Sequence, residues 1–115
     1  MLARANRLRS AADIARAYKR GAYGGSGGAL SVKAVRSGRP EARAVVVVPK
    51  KVSKRAVVRN RIRRRLSDTL RQRWETVPAG YDIVLSVHTD LSETPAPALQ
   101  DHLTRALGRA GVLKS

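Results

Sequence analysis

The first apolar periodicity in the chain begins after Ser10. Ile14, Ala17 and Tyr18 fall three and four residues apart, which is one face of a short helix. Ser10, with Asp13 three residues on, has the form of a capping box. Lys19 and Arg20 stand where the negative helix end favours cations, and Gly21 stands at the C′ position. The spacing predicts a helix over 11–20. Residues 1–9 carry no periodicity and read as a basic arm. "GAYGGSGG", residues 21–28, reads as a flexible loop; no Gly-Lys-Ser/Thr follows, so it is not a phosphate cradle.

In "ALSVKAV" Leu30, Val32 and Ala34 alternate with Ser31 and Lys33, the period of a half-buried strand. "SGRPE" is a turn. "ARAVVVVP" is a β-branched run that predicts a strand covered on both faces and ended by Pro49. Residues 54–74 read as a long helix with the stripe Val58, Ile62, Leu66, Leu70 and Trp74. After "PAG", Tyr81, Ile83, Leu85 and Val87 alternate with Asp82 and Ser86 as another strand. Thr94 is placed to cap a last helix with Pro95 at its first position; Leu99, Leu103, Ala106, Leu107 and Ala110 are its stripe, and Gly111 stops it. The expected fold is α+β: a single domain spanning 1–115, a two-layer α/β sandwich. Its elements run α-β-β-(β)-α-β-α, the brackets leaving place for one more strand, around a small, mainly antiparallel sheet.

Charge changes the picture more than composition does. The 115 residues hold 24 Lys and Arg against 8 Asp and Glu, a formal net charge of +16. A small domain this basic points to a polyanion as partner: RNA, DNA or an anionic membrane. Arginine carries most of the excess, and it forks onto phosphates and stacks on bases better than lysine does. Hydrophobic residues make up 43% of the chain, enough for a folded core. With no cysteine, neither disulfides nor thiolate metal sites are available. No run approaches the roughly 18 apolar residues of a membrane span. The basic N-terminus leads into no apolar segment, so it is not a secretory signal, and a cytoplasmic protein is expected.

The excess concentrates in "RAVVRNRIRRRL", Arg55 to Leu66, where six arginines and Asn60 share a helix with no acid. Arg61 and Arg65 flank one side of the apolar stripe; Arg59 and Arg63 flank the other; Asn60 and Arg64 point away. Like charges four apart cost a few tenths of a kcal/mol per pair (about 0.2–0.5). A phosphate backbone along this face would remove that penalty and release counterions.

"KKVSKRAVVRNRIRRRL" resembles the signature of the bacterial ribonuclease P protein component: a strand ending at a Lys-Lys pair, then a helix opening on Arg-Asn-Arg. "NRLR" at Asn6 to Arg9 is similar to the family too, as is the helix with "DI" and "AY". The resemblance runs over nearly the whole chain. It implies the small subunit of a ribonucleoprotein that removes the 5′ leader from precursor tRNA, the chemistry being done by an RNA subunit that holds Mg²⁺. It implies that Lys50, Lys51, Arg55, Arg59, Asn60, Arg61, Arg63, Arg64 and Arg65 bind that RNA. It also implies that Ile14, Tyr18, Leu30 and Val32 line a cleft for the leader. A left-handed β-α-β crossover comes with the resemblance as well, a hand that the general right-handed preference would not give. Two departures matter. The family's cleft is rich in Phe and Tyr, whereas this chain has no Phe and 3% aromatics, leaving Tyr18 and Tyr23 to stack on bases. Val45 stands where the family often has Gly.

No acid–base or metal constellation is visible. The eight acids are scattered, and His88 and His102 sit in no ligand spacing; both read as surface or boundary residues, and Asp82 as a polar residue on a strand face. No catalytic residue and no protein-held metal are therefore expected, and no protein oligomer is required. The rival reading is a non-catalytic basic RNA- or DNA-binding protein, ribosomal or architectural. The first would lack the Lys-Lys to Arg-Asn-Arg spacing, and the second would show a wedge residue or a helix-turn-helix.

Overall fold

The computed structural model describes residues 2–113; Met1, Lys114 and Ser115 of the expected 1–115 span lie outside the described residues. The elements are α1 (Ala11–Arg20), β1 (Ala22–Gly25), β2 (Leu30–Arg36), β3 (Arg43–Val47), α2 (Ala56–Gln72), β4 (Tyr81–Val87) and α3 (Ala96–Arg109), with short 3-10 turns at Arg4–Asn6 and Trp74–Thr76. The four strands form one sheet in the order β1-β2-β4-β3. β1 with β2 and β2 with β4 are antiparallel. β3 and β4 are parallel, so α2 is the crossover that joins them.

The period of two along each strand sorts the side chains to two faces. Leu30, Val32 and Ala34 of β2 join Ile83, Leu85 and Val87 of β4 in the main core, together with Ile62, Leu66 and Leu70 of α2 and Leu99, Leu103 and Leu107 of α3. The opposite face holds a smaller cluster. Leu8, Ala17 and Val84 are its buried centre, and Ile14, Val35, Val45 and Val47 pack around them. Helices α2 and α3 therefore cover one face and α1 part of the other. The α+β sandwich is as expected, with α1 as an additional one-helix layer.

Several local expectations need correction. Ser10 does cap α1, its hydroxyl accepting from the Asp13 amide at 3.3 Å. Gly21 is not left-handed, at φ −71°; a Cβ there would lie 2.3 Å from the Ala17 carbonyl oxygen, so closeness explains the glycine. The supposed loop contains β1. Gly24 pairs with Val32, and a Cβ on it would come within 2.1 Å of the Ala106 carbonyl oxygen, so glycine lets α3 press against the strand. Thr94 does not cap α3; Pro95 occupies the N-cap position. The strand at Arg43–Val47 is an edge strand with its last three residues only half-buried, because β4 flanks it on one side only.

The basic arm is not free. Leu2 and Leu8 are buried. Arg7 bridges to Ala44 in parallel fashion, the Leu8 amide donates to the Ala44 carbonyl at 2.9 Å, and the Asn6 side-chain amide donates to the Ala42 carbonyl at 2.9 Å. Apolar positions six residues apart fit neither helix nor strand period, so pattern alone could not find this anchoring.

Candidate nucleic-acid interface

The start of α2 builds the basic face. Helix formation from Ala56 buries Ile62 and Leu66 completely and turns Arg55, Asn60, Arg61 and Arg64 to solvent. Lys50 and Lys51 are exposed in the turn after β3, closed by the Val52 amide donating to the Pro49 carbonyl. Two neighbours are oriented rather than free. Arg59 donates to the Ser53 carbonyl at 2.8 Å, and Arg63 donates to the Asn60 side-chain oxygen. Asn60 thus aims an arginine as well as presenting its own amide. Asp90 is one acid that senses this face. Its carboxyl is held below the usual range by the Ser92 hydroxyl and amide, with a further contribution from the Arg61 charge.

The second surface is the sheet face that α1 leaves open. Cross-strand register places Tyr23, Lys33, Val84 and Val45 in one row, and Ser31, Ser86 and Val47 in the next. Tyr18, 43% exposed at the end of α1, reaches over this floor with its hydroxyl 3.2 Å from that of Ser86. The Lys33 ammonium lies 5.9 Å from the Tyr23 ring centroid, within range of a cation–π contact. His88, exposed just past β4, meets the Ser31 hydroxyl at 2.7 Å. The result is a strip of hydroxyls, one lysine and two exposed rings beside a helix, where a polyanionic strand can lie flat and stack its bases.

Below α1 lies a charged network. Arg43 of β3 and Asp82 of β4 are register partners. Arg43 donates to both Asp82 carboxylate oxygens at 2.9 and 2.8 Å and to Asp13 of α1 at 3.0 Å. Arg16 reaches Asp82 at 3.5 Å. Asp82 is fully buried, so its charge needs these partners. The Asp82 hydrogen bond raises the pKa of Arg43, and the Arg43 hydrogen bond lowers that of Asp13. Two acids and two arginines make the cluster neutral, and it ties α1 to the sheet.

Residues 2–111 match the family model described as Ribonuclease P. The chain belongs to the ribonuclease P protein family. It is 40% identical to the ribonuclease P protein component of a Pseudanabaena species, across 98% of this chain and 97% of the relative. It is 36% identical to that of a Roseiflexus species, across 97% and 91%. Among solved structures, the RNase P protein from Thermotoga maritima superposes with a TM-score of 0.78 at 25% identity, covering 90% of this chain and 96% of that one. A Staphylococcus aureus RNase P protein gives 0.81 at 23% identity, over 95% and 98%, a likeness of fold.

For a ribonuclease P protein, three expected residues sit elsewhere than the sequence placed them. Leu30 and Val32, 1% and 0% exposed, belong to the main core under α2 and α3; they face away from α1 and cannot line a cleft. Their alternation does put them on one face of β2, but nothing in it says which face is covered. Ser31 and Lys33, one step along, face the α1 side, Ser31 buried and Lys33 half-buried. Arg65 does not project to solvent as Arg55, Arg61 and Arg64 do. It donates to the carbonyls of Leu91 (3.0 Å), Ser92 (2.9 Å) and Thr94, tethering the β4–α3 loop. Ile14 and Tyr18 stand on the α1 side as expected, Ile14 in the small cluster and Tyr18 over the strip. Val45 leaves β3 regular, paired with Val84.

The network and the strip were invisible to pattern reading. Arg43 and Asp82 lie 39 positions apart and meet only because β3 and β4 pair. The available signal was a charged residue at the head of each of two otherwise apolar strands.

Proposed function

We propose that this chain is the RNA-binding protein subunit of ribonuclease P, assisting an RNA subunit in removing the 5′ leader from precursor tRNA. On this reading the basic face from Lys50 to Arg64 binds the RNA subunit. The strip beside Tyr18 holds the single-stranded leader. The observation that carries it is the pairing, within one small domain of the ribonuclease P family, of a helix start with no acid from Arg55 to Leu66 and a sheet face bearing Lys33 and Ser86 beside the exposed Tyr18 of α1. The first supplies phosphate contacts and the second a place for unpaired bases.

The chemistry is assigned to the RNA subunit. Among the described residues no group of three or more His, Asp or Glu could hold a metal ion. The two acids that do converge, Asp13 and Asp82, are neutralised by Arg43 and Arg16. On this reading the Mg²⁺ of the reaction is held mainly by the RNA subunit. What this chain supplies is position and charge: arginines that lower the repulsion between two polyanions, and a rigid floor that fixes the leader. Among the described residues no helix is long and apolar enough to cross a membrane; with an RNA partner, we place the protein in the cytoplasm.

The test is reconstitution. Precursor tRNA is cleaved by the RNA subunit at low Mg²⁺ with and without this chain. Cleavage that rises on adding the protein, with the protein bound to the RNA subunit, is the expected result. No stimulation and no complex would end the reading.

A further inference from the structure

At the far end of the domain from the first turns of α2 lies a broad hollow of about 1270 Å³. That exceeds the roughly 300–1,000 Å³ of a small-molecule pocket. It is formed where α3 ends, where β2 ends and β4 begins, and where α2 gives way to the turn at Trp74–Thr76. Arg36, Arg73, Tyr81, Thr104, Arg105 and Arg109 are among its lining residues, and the lining holds no acid. Arg73 follows the last residue of α2, so at about 1.5 Å per helical residue the hollow is some 20 Å from Arg59.

Three features give this hollow a ligand chemistry. The Arg36 guanidinium lies 5.1 Å from the Tyr81 ring centroid. An arginine stacked over an aromatic ring is a platform for a third flat group, and a nucleotide supplies both a flat base and a negatively charged phosphate. The four arginines are not equally committed. Arg105 pairs with Asp101 at 2.7 Å and Arg109 donates to the Gly25 carbonyl. Arg36 and Arg73 have no ion-pair partner among the described residues and are the cations available to a phosphate. Finally, the Thr104 hydroxyl oxygen is buried with no hydrogen-bond partner, although helical threonines commonly donate to the preceding turn. A buried hydroxyl left unpaired awaits a polar group.

We propose that this hollow is a second RNA-binding site, taking single-stranded nucleotides with a base on the Tyr81–Arg36 stack and phosphates on Arg36 and Arg73. The inference rests on the reading of the chain as an RNA-binding subunit and adds a contact remote from the basic face of α2. An RNA spanning both sites would be held at two ends of the domain. Removing one site would then weaken binding without abolishing it.

The experiment uses the full chain and a short oligouridylate carrying thiouridine. Binding is measured over a salt series for wild type, for Arg36→Ala with Arg73→Ala, for Arg61→Ala with Arg64→Ala, and for all four together. Thermal melts check that each variant folds. The hollow variant is expected to bind about tenfold more weakly. Its salt slope should fall by about 1.4, two single-strand phosphate contacts at about 0.7 each. The same loss should recur in the background of the α2 variant. Photo-cross-linked peptides should include Tyr81. A folded hollow variant with wild-type affinity and salt slope, or cross-links confined to α2 and the α1 side, would overturn the second site while leaving the RNA-binding reading intact. Uridine monophosphate displacing the oligomer from the hollow as well as the oligomer itself competes would make it a free-nucleotide site and overturn the assignment to an RNA strand. Wild type that binds no oligomer while still joining the RNA subunit would remove the second site alone; failure of both would remove the reading with it.

Discussion

Arg43 and Asp82 face each other across the parallel pair of β3 and β4, joined by two hydrogen bonds of 2.9 and 2.8 Å. Asp82 has no access to water. Asp82→Asn keeps the shape and removes the charge, leaving Arg43 buried with a weakened partner. Breaking one side of a buried pair typically costs about 3–5 kcal/mol. The expected result is a large drop in denaturation midpoint with an unchanged denaturant slope, measured by urea titration. A midpoint within error of wild type would mean that the cluster does not hold the fold.

Asp13 gives the same cluster a pH signature. The Arg43 hydrogen bond lowers its pKa in the folded state. Its contribution is therefore present above the unfolded value, about 3.9, and is lost as pH falls through the lower folded value. Wild type should lose stability on acidification below about pH 4. Asp13→Asn should begin lower at neutral pH and fall less steeply over that range. Parallel melting curves for the two proteins from neutral to acid pH would contradict the assignment.

Arg61 and Arg65 stand four apart on one helix and should behave differently. Arg65→Ala frees the carbonyls of Leu91, Ser92 and Thr94 and should destabilise the fold by about 1.5–3 kcal/mol, the range for hydrogen bonds involving a charged group. Arg61→Ala, exposed, should leave the melting temperature alone and lower the salt slope of RNA-subunit binding by about 0.7–0.9. Equal effects of the two on melting and on salt slope would refute the division.

Tyr18 and Leu30 form a matched pair for the leader. Tyr18→Ala should lose about 1–2 kcal/mol of affinity for precursor tRNA with a leader of several nucleotides and nothing for mature tRNA. Tyr18→Phe keeps the ring and should retain that affinity. Leu30→Ala opens the main core and should cost about 2–5 kcal/mol of stability, with any binding loss the same for both ligands. Tyr18→Ala losing equally on the two tRNAs would exclude the leader role.

No Asp, Glu or His of this chain should be needed for the chemical step. At saturating protein and high Mg²⁺, each single substitution should leave the single-turnover rate near wild type. A thousandfold loss in an assembled holoenzyme, about 4 kcal/mol of barrier, would place chemistry in the protein.

Most helices and long strands were legible because each has a strong period. Ile62, Leu66 and Leu70 fall on one stripe and are all fully buried. Leu30, Val32 and Ala34 alternate, and they share a face. What alternation cannot state is which side of a sheet stays open, so it offers no check on the cleft role that the family resemblance implies for Leu30 and Val32. The charge of α2 was plain in the sequence, but not its division of labour. Arg65 looks like its neighbours until the β4–α3 loop is placed against it. β1 hid behind glycines whose reason is the proximity of α3. The Arg43–Asp82 pair depends on strand order, which no local pattern carries.

The anchoring of residues 2–8 along the outside of β3 bears on how the protein is handled. Arg7 and Leu8 occupy the Ala44 position of an edge that continues through Val45, Val46 and Val47. Trimming the first nine residues as a dispensable tail would strip that guard from a β-branched edge. An uncovered edge of this composition recruits the strands of other molecules. A truncated preparation would then lose soluble protein to intermolecular strand pairing before its RNA affinity could be measured.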